Sequence, residues 1–413
     1  MDDKPLDLAA RAVARIERHE ARVRAFTSYD PARIRLQAEE APDGPLRGLS
    51  VGVKDIIETR DYPTTHGSPI YAANHPSSDA ACVALLRQAG ALCVGKTVTT
   101  EFAFFRPGAT VNPYDVARTP GGSSSGSAAA VAAGMIDLGL ASQTAASLTR
   151  PASYCGIVGF KPSYGRYALA GVKSLAPSFD TLGTLAADVE TVARADAVLK
   201  GPVPAATTLA ARPPARIGVC RTPWWSHAEP GTRAAMEVAA ECFRAHAHVE
   251  DVDLSDYALA ADMHVTIMSY EAAQSLAWEY AARKERLSPQ ITQLIETGRA
   301  IAYDTYRDAL RQAATLRERI AGVFDGFDVL LAPAAPGEAP LRETGTGNPI
   351  FSRLWTLLRL PTVTLPGPTG ENGLPVGVQL LARLDADEDL LDWSAWAEKI
   401  LPQRPRPAIC GVA

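Results

Sequence analysis

At 413 residues the chain is too long for one small core, and its 47% hydrophobic and 21% charged content is that of a globular protein. A formal net charge of −5, from 41 basic and 46 acidic residues, gives no electrostatic reason to expect nucleic acid or an anionic membrane as a partner. No run of about 18 apolar residues occurs, so no transmembrane span is expected.

The first twenty residues are charged and amphipathic and lack the unbroken apolar stretch of a signal peptide. Apolar positions Leu6, Ala9, Ala12, Val13 and Ile16 predict a surface helix over 5–24, and a second helix is expected over 31–40. Ser50–Asp55 is a short β-type run ending in the charged pair Lys54-Asp55. A lysine at the end of a buried strand is either one half of an ion pair, with Asp55 or Glu58, or a functional amine. Residues 64–68 read as a loop. Residues 79–90 read as a helix capped by Asp79 and stopped by Gly90, and 91–96 as the following strand. This strand–helix–strand rhythm implies a largely buried α/β sheet.

Further strands are expected at 157–162, 216–220, 328–333, 361–366 and 375–381. Helices are expected at 189–199 (capped by Asp188), at 232–243, across most of 256–324, and at 387–401. No internal repeat is present. One domain is expected over 1–413: a core over 1–200, a Pro/Ala-rich linker over 201–214, a mainly helical layer over 215–330, and strands with a closing helix over 331–413. The six cysteines are scattered and form no C-x-x-C pair, which suits reduced core thiols of a cytoplasmic protein. His246 and His248 have no third ligand nearby, so a metal site there is not expected.

The chain is organised around Gly121–Arg166. A Gly/Ser loop, Gly121-Gly-Ser-Ser-Ser-Gly-Ser127, runs into an Ala-rich segment, and a second small-residue turn, Gln143-Thr-Ala-Ala-Ser147, follows. Composition alone would allow a flexible linker. The abutting Ala-rich run is instead a strong helix former, with Ser125 or Ser127 available as its cap. A Gly-rich loop opening a helix is a ready anion or oxyanion site, because the first-turn N–H groups lack partners. No Lys follows Gly126, which excludes a phosphate-binding P-loop, and no G-x-S-x-G elbow surrounds Ser147. Two such turns joined by an apolar segment can fold back to bring Ser123 near Ser147.

These residues resemble the amidase signature family. The resemblance rests on Val51-Gly-Val-Lys54-Asp55, on the Gly121–Ser127 and Gln143–Ser147 turns, and on Arg150-Pro-Ala152 and Gly156–Pro162. Lys54 stands 69 positions before Ser123, and Ser123 stands 24 before Ser147. The likeness runs almost end to end, and Arg150, 276–279 and 354–357 look closest to the bacterial malonamidase branch. It implies an α/β fold, a single large domain with a central mixed β-sheet covered by helices on both faces. It also implies a Ser-cisSer-Lys hydrolase: Ser147 the acylated nucleophile, Ser123 a proton relay in a cis peptide, Lys54 the general base. Such chemistry is sound on its own terms. A serine hydroxyl needs an adjacent base, and a lysine is a base near neutral pH only if burial lowers its pKa. Backbone N–H groups of Thr144, Ala145, Ala146 and Ser147 would form the oxyanion hole.

The turn departs from the family pattern. Two glycines usually precede the nucleophile, where this chain has Ala145 and Ala146, and Gln143 stands where an Asp is common. Were φ positive at either alanine, the methyl would be a steric cost. Arg150, with Ser124 and Gln143, is expected to bind substrate, Arg150 by gripping a carboxylate as guanidinium geometry allows. The competing role for Arg150 is an ion pair with Glu101 or Asp180. The implied substrate is a small amide of the malonamate type, with no cofactor, no metal and a homodimeric assembly. Rival readings are the glutamine-hydrolysing subunit of a tRNA-dependent amidotransferase, a broad aryl or aliphatic amidase, and a binding protein of the same fold with weakened catalysis.

Overall fold

The computed structural model describes residues 4–201, 208–402 and 407–410. Among these, eleven strands form one mixed sheet. They are β1 (Phe26–Tyr29), β2 (Ser50–Lys54), β3 (Leu92–Thr97), β4 (Leu138–Gln143), β5 (Val158–Lys161), β6 (Thr181–Ala186), β7 (Arg216–Val219), β8 (His248–Asp251), β9 (Val329–Pro333), β10 (Thr362–Leu365) and β11 (Val378–Leu381). Their order across the sheet is β1-β3-β2-β4-β6-β5-β10-β11-β9-β7-β8. β2 lies parallel to both β3 and β4, and β7 lies parallel to β8 and β9; the other pairs are antiparallel.

Among the described residues thirteen helices cover the two faces: α1 (Pro5–Val23), α2 (Pro31–Glu40), α3 (Ala81–Gln88), α4 (Ser125–Ala132), α5 (Thr149–Tyr154), α6 (Val189–Leu199), α7 (Pro230–Arg244), α8 (Ala260–Ser275), α9 (Ala277–Arg283), α10 (Pro289–Ala300), α11 (Tyr303–Val323), α12 (Ile350–Leu357) and α13 (Asp387–Ile400). Strand alternation divides the core. Val329 and Leu331 of β9 belong to the core cluster on the face covered by α3, α6, α7 and α13, whereas Leu330 and Ala332 belong to the one that includes α8 and α10–α12. A third cluster joins Leu92, Val94, Ala141 and Leu185 to α1, α2 and α4.

The amphipathic segments fold as their periodicity predicts. α1 buries Ala9, Ala12, Val13, Ile16 and Val23, and Asp188 caps α6 by accepting from the Thr191 N–H. Two caps differ from expectation. Asp79 does not cap α3, which starts at Ala81 behind Ala80; its carboxylate takes the Arg60 N–H and pairs with Arg87. Neither Ser125 nor Ser127 caps α4 through its side chain. The Gly126 N–H donates to Val98 O at 2.9 Å, and Ser127 Oγ donates to Leu140 O. α4 is buried from Ser125 to Val131 and sits so close to the start of β1 and the end of β3 that a Cβ on Gly126 would lie 2.2 Å from Ala25 O and 2.3 Å from Val98 N. Small residues are what let this helix pass beneath the sheet.

Residues 215–330 build helices but also place β7 and β8 at the sheet edge beside β9. Residues 202–207 of the expected linker lie outside the described residues. Among the described residues no helix is long and apolar enough to cross a membrane. The cysteines, all six of them described, form no disulfide.

Candidate active site

β2 and β4 run side by side and both end at the same edge of the sheet, so the chain leaves each strand into a functional turn. Lys54 closes β2. Its Nζ lies 2.7 Å from Ser123 Oγ, 2.9 Å from Ser142 Oγ and 3.3 Å from Ser142 O. Asp55 is not its partner: it forms a buried ion pair with Lys96 at 3.0 Å. Lys54 is 0% exposed, and burial pushes its ammonium down to about 7 against a smaller opposing effect of the Asp180 charge.

Ser123 follows a cis Gly122–Ser123 peptide bond. The two serine turns are stitched together where Ser124 N–H donates to Ser147 O at 3.3 Å. Ser123, at 2% exposure, and Ser147, at 7%, line one cavity of about 20 Å³, whereas Lys54 does not reach it. Ser123 is therefore the hydroxyl through which the lysine meets the cavity. Thr144, Ala145, Ala146 and Arg150 line the same cavity, with Phe104, Phe105 and Met268 closing its apolar side. A hollow of about 380 Å³ adjoins it at Ala103, Thr144 and Leu175, and an open cleft of about 760 Å³ adjoins it at Phe105 and Pro349.

Neither Ala145 nor Ala146 has a positive φ, so the alanines fit this turn without left-handed backbone. The N–H groups of Ala145, Ala146 and Ser147 donate to no described residue, which leaves them for an oxyanion.

Arg150 pairs with neither Glu101 nor Asp180. Glu101 takes Ser68 Oγ and the Ser288 N–H, and Asp180 takes Thr144 Oγ1, Ser174 Oγ and the N–H groups of Leu175 and Ala176. Arg150 is held instead by Gly347 O at 2.6 Å, Gly122 O at 2.7 Å and Thr346 Oγ1 at 3.3 Å, and its buried Nε has no partner. Burial without a counter-ion lowers its pKa to about 10.

Two expected binding residues are placed differently. Gln143 is buried and does not line the cavity: its Oε1 accepts from Leu148 N, Thr149 N and Thr149 Oγ1, and its Nε2 donates to Thr356 Oγ1. Its side chain is a staple across the Ser147 turn. Ser124 is likewise buried, its Oγ donating to Ser142 O at 3.4 Å. Two neighbours of the turn have no role expected from the sequence, although Thr356 lies within the 354–357 stretch that carries the resemblance. His264 Nε2 lies 2.8 Å from Thr144 O, and Thr356 Oγ1 donates to Ala145 O at 2.9 Å. A lone histidine on a long helical segment carries no motif that would single it out.

A family model described as Amidase matches residues 7–391. The chain belongs to the amidase family. Family membership makes it an amide-hydrolysing enzyme with the amidase signature fold. It is 34% identical to a glutamyl-tRNA(Gln) amidotransferase subunit from Symbiobacterium thermophilum, over 98% of this chain and 95% of that protein. Among solved structures it superposes on an amidase with a TM-score of 0.89 at 31% identity, covering 97% of each chain. It superposes equally well, with a TM-score of 0.88 at 28% identity and 97% and 96% coverage, on a chain of a vestigial protein complex described as revealing the origins of an s-triazine catabolic enzyme.

Proposed function

We propose that the amidase hydrolyses a small primary amide through an acyl-enzyme on Ser147, with Ser123 as proton relay and Lys54 as general base. The observation that carries this is the buried Lys54 amine 2.7 Å from Ser123, which shares the cavity with Ser147. A neutral amine has two N–H donors and one lone pair. Donating to Ser142 Oγ and O leaves the lone pair for the Ser123 hydroxyl proton. Ser123 then takes the proton of Ser147 as Ser147 Oγ adds to the amide carbon. Collapse of the tetrahedral adduct breaks the C–N bond, and the same relay run backwards protonates the departing ammonia. Water, deprotonated by the same route, cleaves the ester.

The substrate reading is a primary amide that also carries a carboxylate. Arg150 supports it. A carboxylate meeting the guanidinium on the edge shared by Nε and Nη2 would find Nε free and would compete at Nη2 with Gly122 O and the longer bond to Thr346. Glutamine and malonamate both fit that description. The amidotransferase name borne by the relatives favours glutamine, and nothing in the comparisons favours malonamate. In the same way the resemblance supports a homodimer, while relatives named as subunits support a mixed complex. Light scattering on the chain alone separates a dimer from a monomer. A cytoplasmic place of action is supported by six scattered cysteines with no C-x-x-C pair among them.

Ammonia release from glutamine, malonamate, malonamide, an aliphatic amide and an aryl amide tests both parts. Ser147→Ala should lose at least about 10³-fold in kcat. Arg150→Leu and Arg150→Lys should raise KM for the acidic amides roughly tenfold or more, with a much smaller change for the neutral ones. Equal loss on both classes would sink the carboxylate reading, and Ser147→Ala activity equal to wild type would sink the acyl-enzyme.

A further inference from the structure

The three free N–H groups beside Ser147 belong to three successive peptide groups, and each of these is gripped at its other end. The Thr144–Ala145 peptide carries the Ala145 N–H, and its carbonyl accepts from His264 Nε2 at 2.8 Å. The Ala145–Ala146 peptide carries the Ala146 N–H, and its carbonyl accepts from Thr356 Oγ1 at 2.9 Å. The Ala146–Ser147 peptide carries the Ser147 N–H, and its carbonyl accepts from the Arg150 N–H at 3.1 Å. In a planar trans peptide the C=O and N–H point in opposite directions, so holding the carbonyl aims the N–H. The third grip is the first turn of α5. The first two are side chains that reach in from α8 and α12.

Both side chains have their hydrogen placed by their surroundings. A carbonyl can only accept, so the proton of the His264 ring sits on Nε2. The ring is fully buried, stacked on Phe179 with centroids 4.5 Å apart, and its Nδ1 has no partner. Burial, aided by the nearby Arg353 charge, keeps it neutral, with a pKa of about 3. An imidazole that leaves one buried nitrogen unsatisfied and spends the other on Thr144 O calls for an explanation beyond packing. Thr356 Oγ1 receives the Gln143 Nε2 proton at 3.1 Å, which leaves its own hydroxyl proton for Ala145 O.

We propose that His264 and Thr356 are positioning residues of the oxyanion site: they fix two peptide planes so that the Ala145 and Ala146 N–H groups converge on the substrate oxygen at Ser147. This rests on the acyl-enzyme reading above and names the residues that build its oxyanion site. Donors fixed in advance favour the tetrahedral state over the bound amide, so loosening them lowers kcat more than it raises KM.

Four variants separate aim from packing. His264→Phe keeps a stacking ring without a donor, and His264→Gln sets an amide N–H near the place of Nε2. Thr356→Val keeps the shape without the hydroxyl, and Thr356→Ser keeps the hydroxyl. For each, kcat and KM are measured on the best amide of the panel, together with the affinity for a small alkylboronic acid, which forms a tetrahedral adduct on serine, and for the product carboxylate. The Phe and Val variants should lose roughly 10–100-fold in kcat and in boronate affinity, with KM and carboxylate affinity within about threefold. The Gln and Ser variants should recover most of that loss. Wild-type kcat in the Phe and Val variants would overturn the inference, as would equal impairment of all four. If the wild type hydrolyses no amide, the boronate arm still decides. An adduct weakened in His264→Phe and Thr356→Val upholds the inference while the hydrolytic reading falls, an unweakened adduct overturns it, and no adduct at all overturns both.

Discussion

Lys54 is a cation site without an anion in contact, and that sets two opposite pH dependences. Its folded pKa lies near 7, far below the ordinary 10.5, because it is buried. As the proposed general base it must be neutral, so kcat/KM should rise about tenfold per pH unit below 7 and level off above it. Rate profiles between pH 5.5 and 9 check this, and Lys54→Arg, which stays charged, should be inactive at every pH. Stability follows the same shift. Between pH 7 and 10.5 the unfolded chain binds a proton that the folded chain lacks, so stability gains about 1.4 kcal/mol per pH unit from this group as pH rises, and the full cost of burying the amine is felt below 7. Lys54→Met should therefore melt higher than wild type at pH 7, with the difference vanishing towards pH 10.5. Lys54, Ser123 and Ser147 are legible in sequence because the chemistry proposed for them demands particular side chains at particular spacings. His264 is not, since it acts on a backbone carbonyl 120 residues away, and carbonyls leave no trace in a sequence. Gln143 misleads for a related reason: an amide beside a nucleophile fits a binding role as readily as the staple it forms.

The element that carries His264, α8, is held in register by a very close crossing. A Cβ on Gly298 of α10 would lie 1.9 Å from Ser269 O of α8, and backbone cannot give way as a side chain tip can. Gly298→Ala should cost roughly 1–3 kcal/mol by overpacking, and should lower kcat even where the chain remains folded, because α8 shifts. Gly322→Ala, on α11 with nothing within 4 Å of the added methyl, should be neutral or stabilising by up to about 1 kcal/mol. Urea melts with kcat measured well below the midpoint distinguish the two. Helices such as α1 are readable because half of each is wet and the period shows. β4 and β6 are not: Leu138–Gln143 and Thr181–Ala186 are buried at every position, so no alternation marks them, and their small residues carry little β preference. β8 escapes for the opposite reason, as an exposed edge rich in charge.

At the scale of the molecule the sheet is two halves laid edge to edge. β1–β6 come from residues 26–186 and β7–β11 from 216–381, and among the described residues the only strand pairing between them is β5 against β10, Phe160 opposite Val363. A chain divided between Leu199 and Arg216 should reconstitute activity when both pieces are co-expressed. The first piece alone should be inactive and prone to associate through the bare β5 edge. Ammonia release from co-purified fragments checks it. This seam has a meaning in time. Lys54, Ser123 and Ser147 all leave the ribosome early, but Ala145 precedes Thr356 by 211 residues. At about 5–20 residues per second, the nascent chain carries Ser147 for some ten to forty seconds before the clamp on its turn exists. On the proposed mechanism the amidase is born under-armed, and it should reach full activity only when its second half closes on its first.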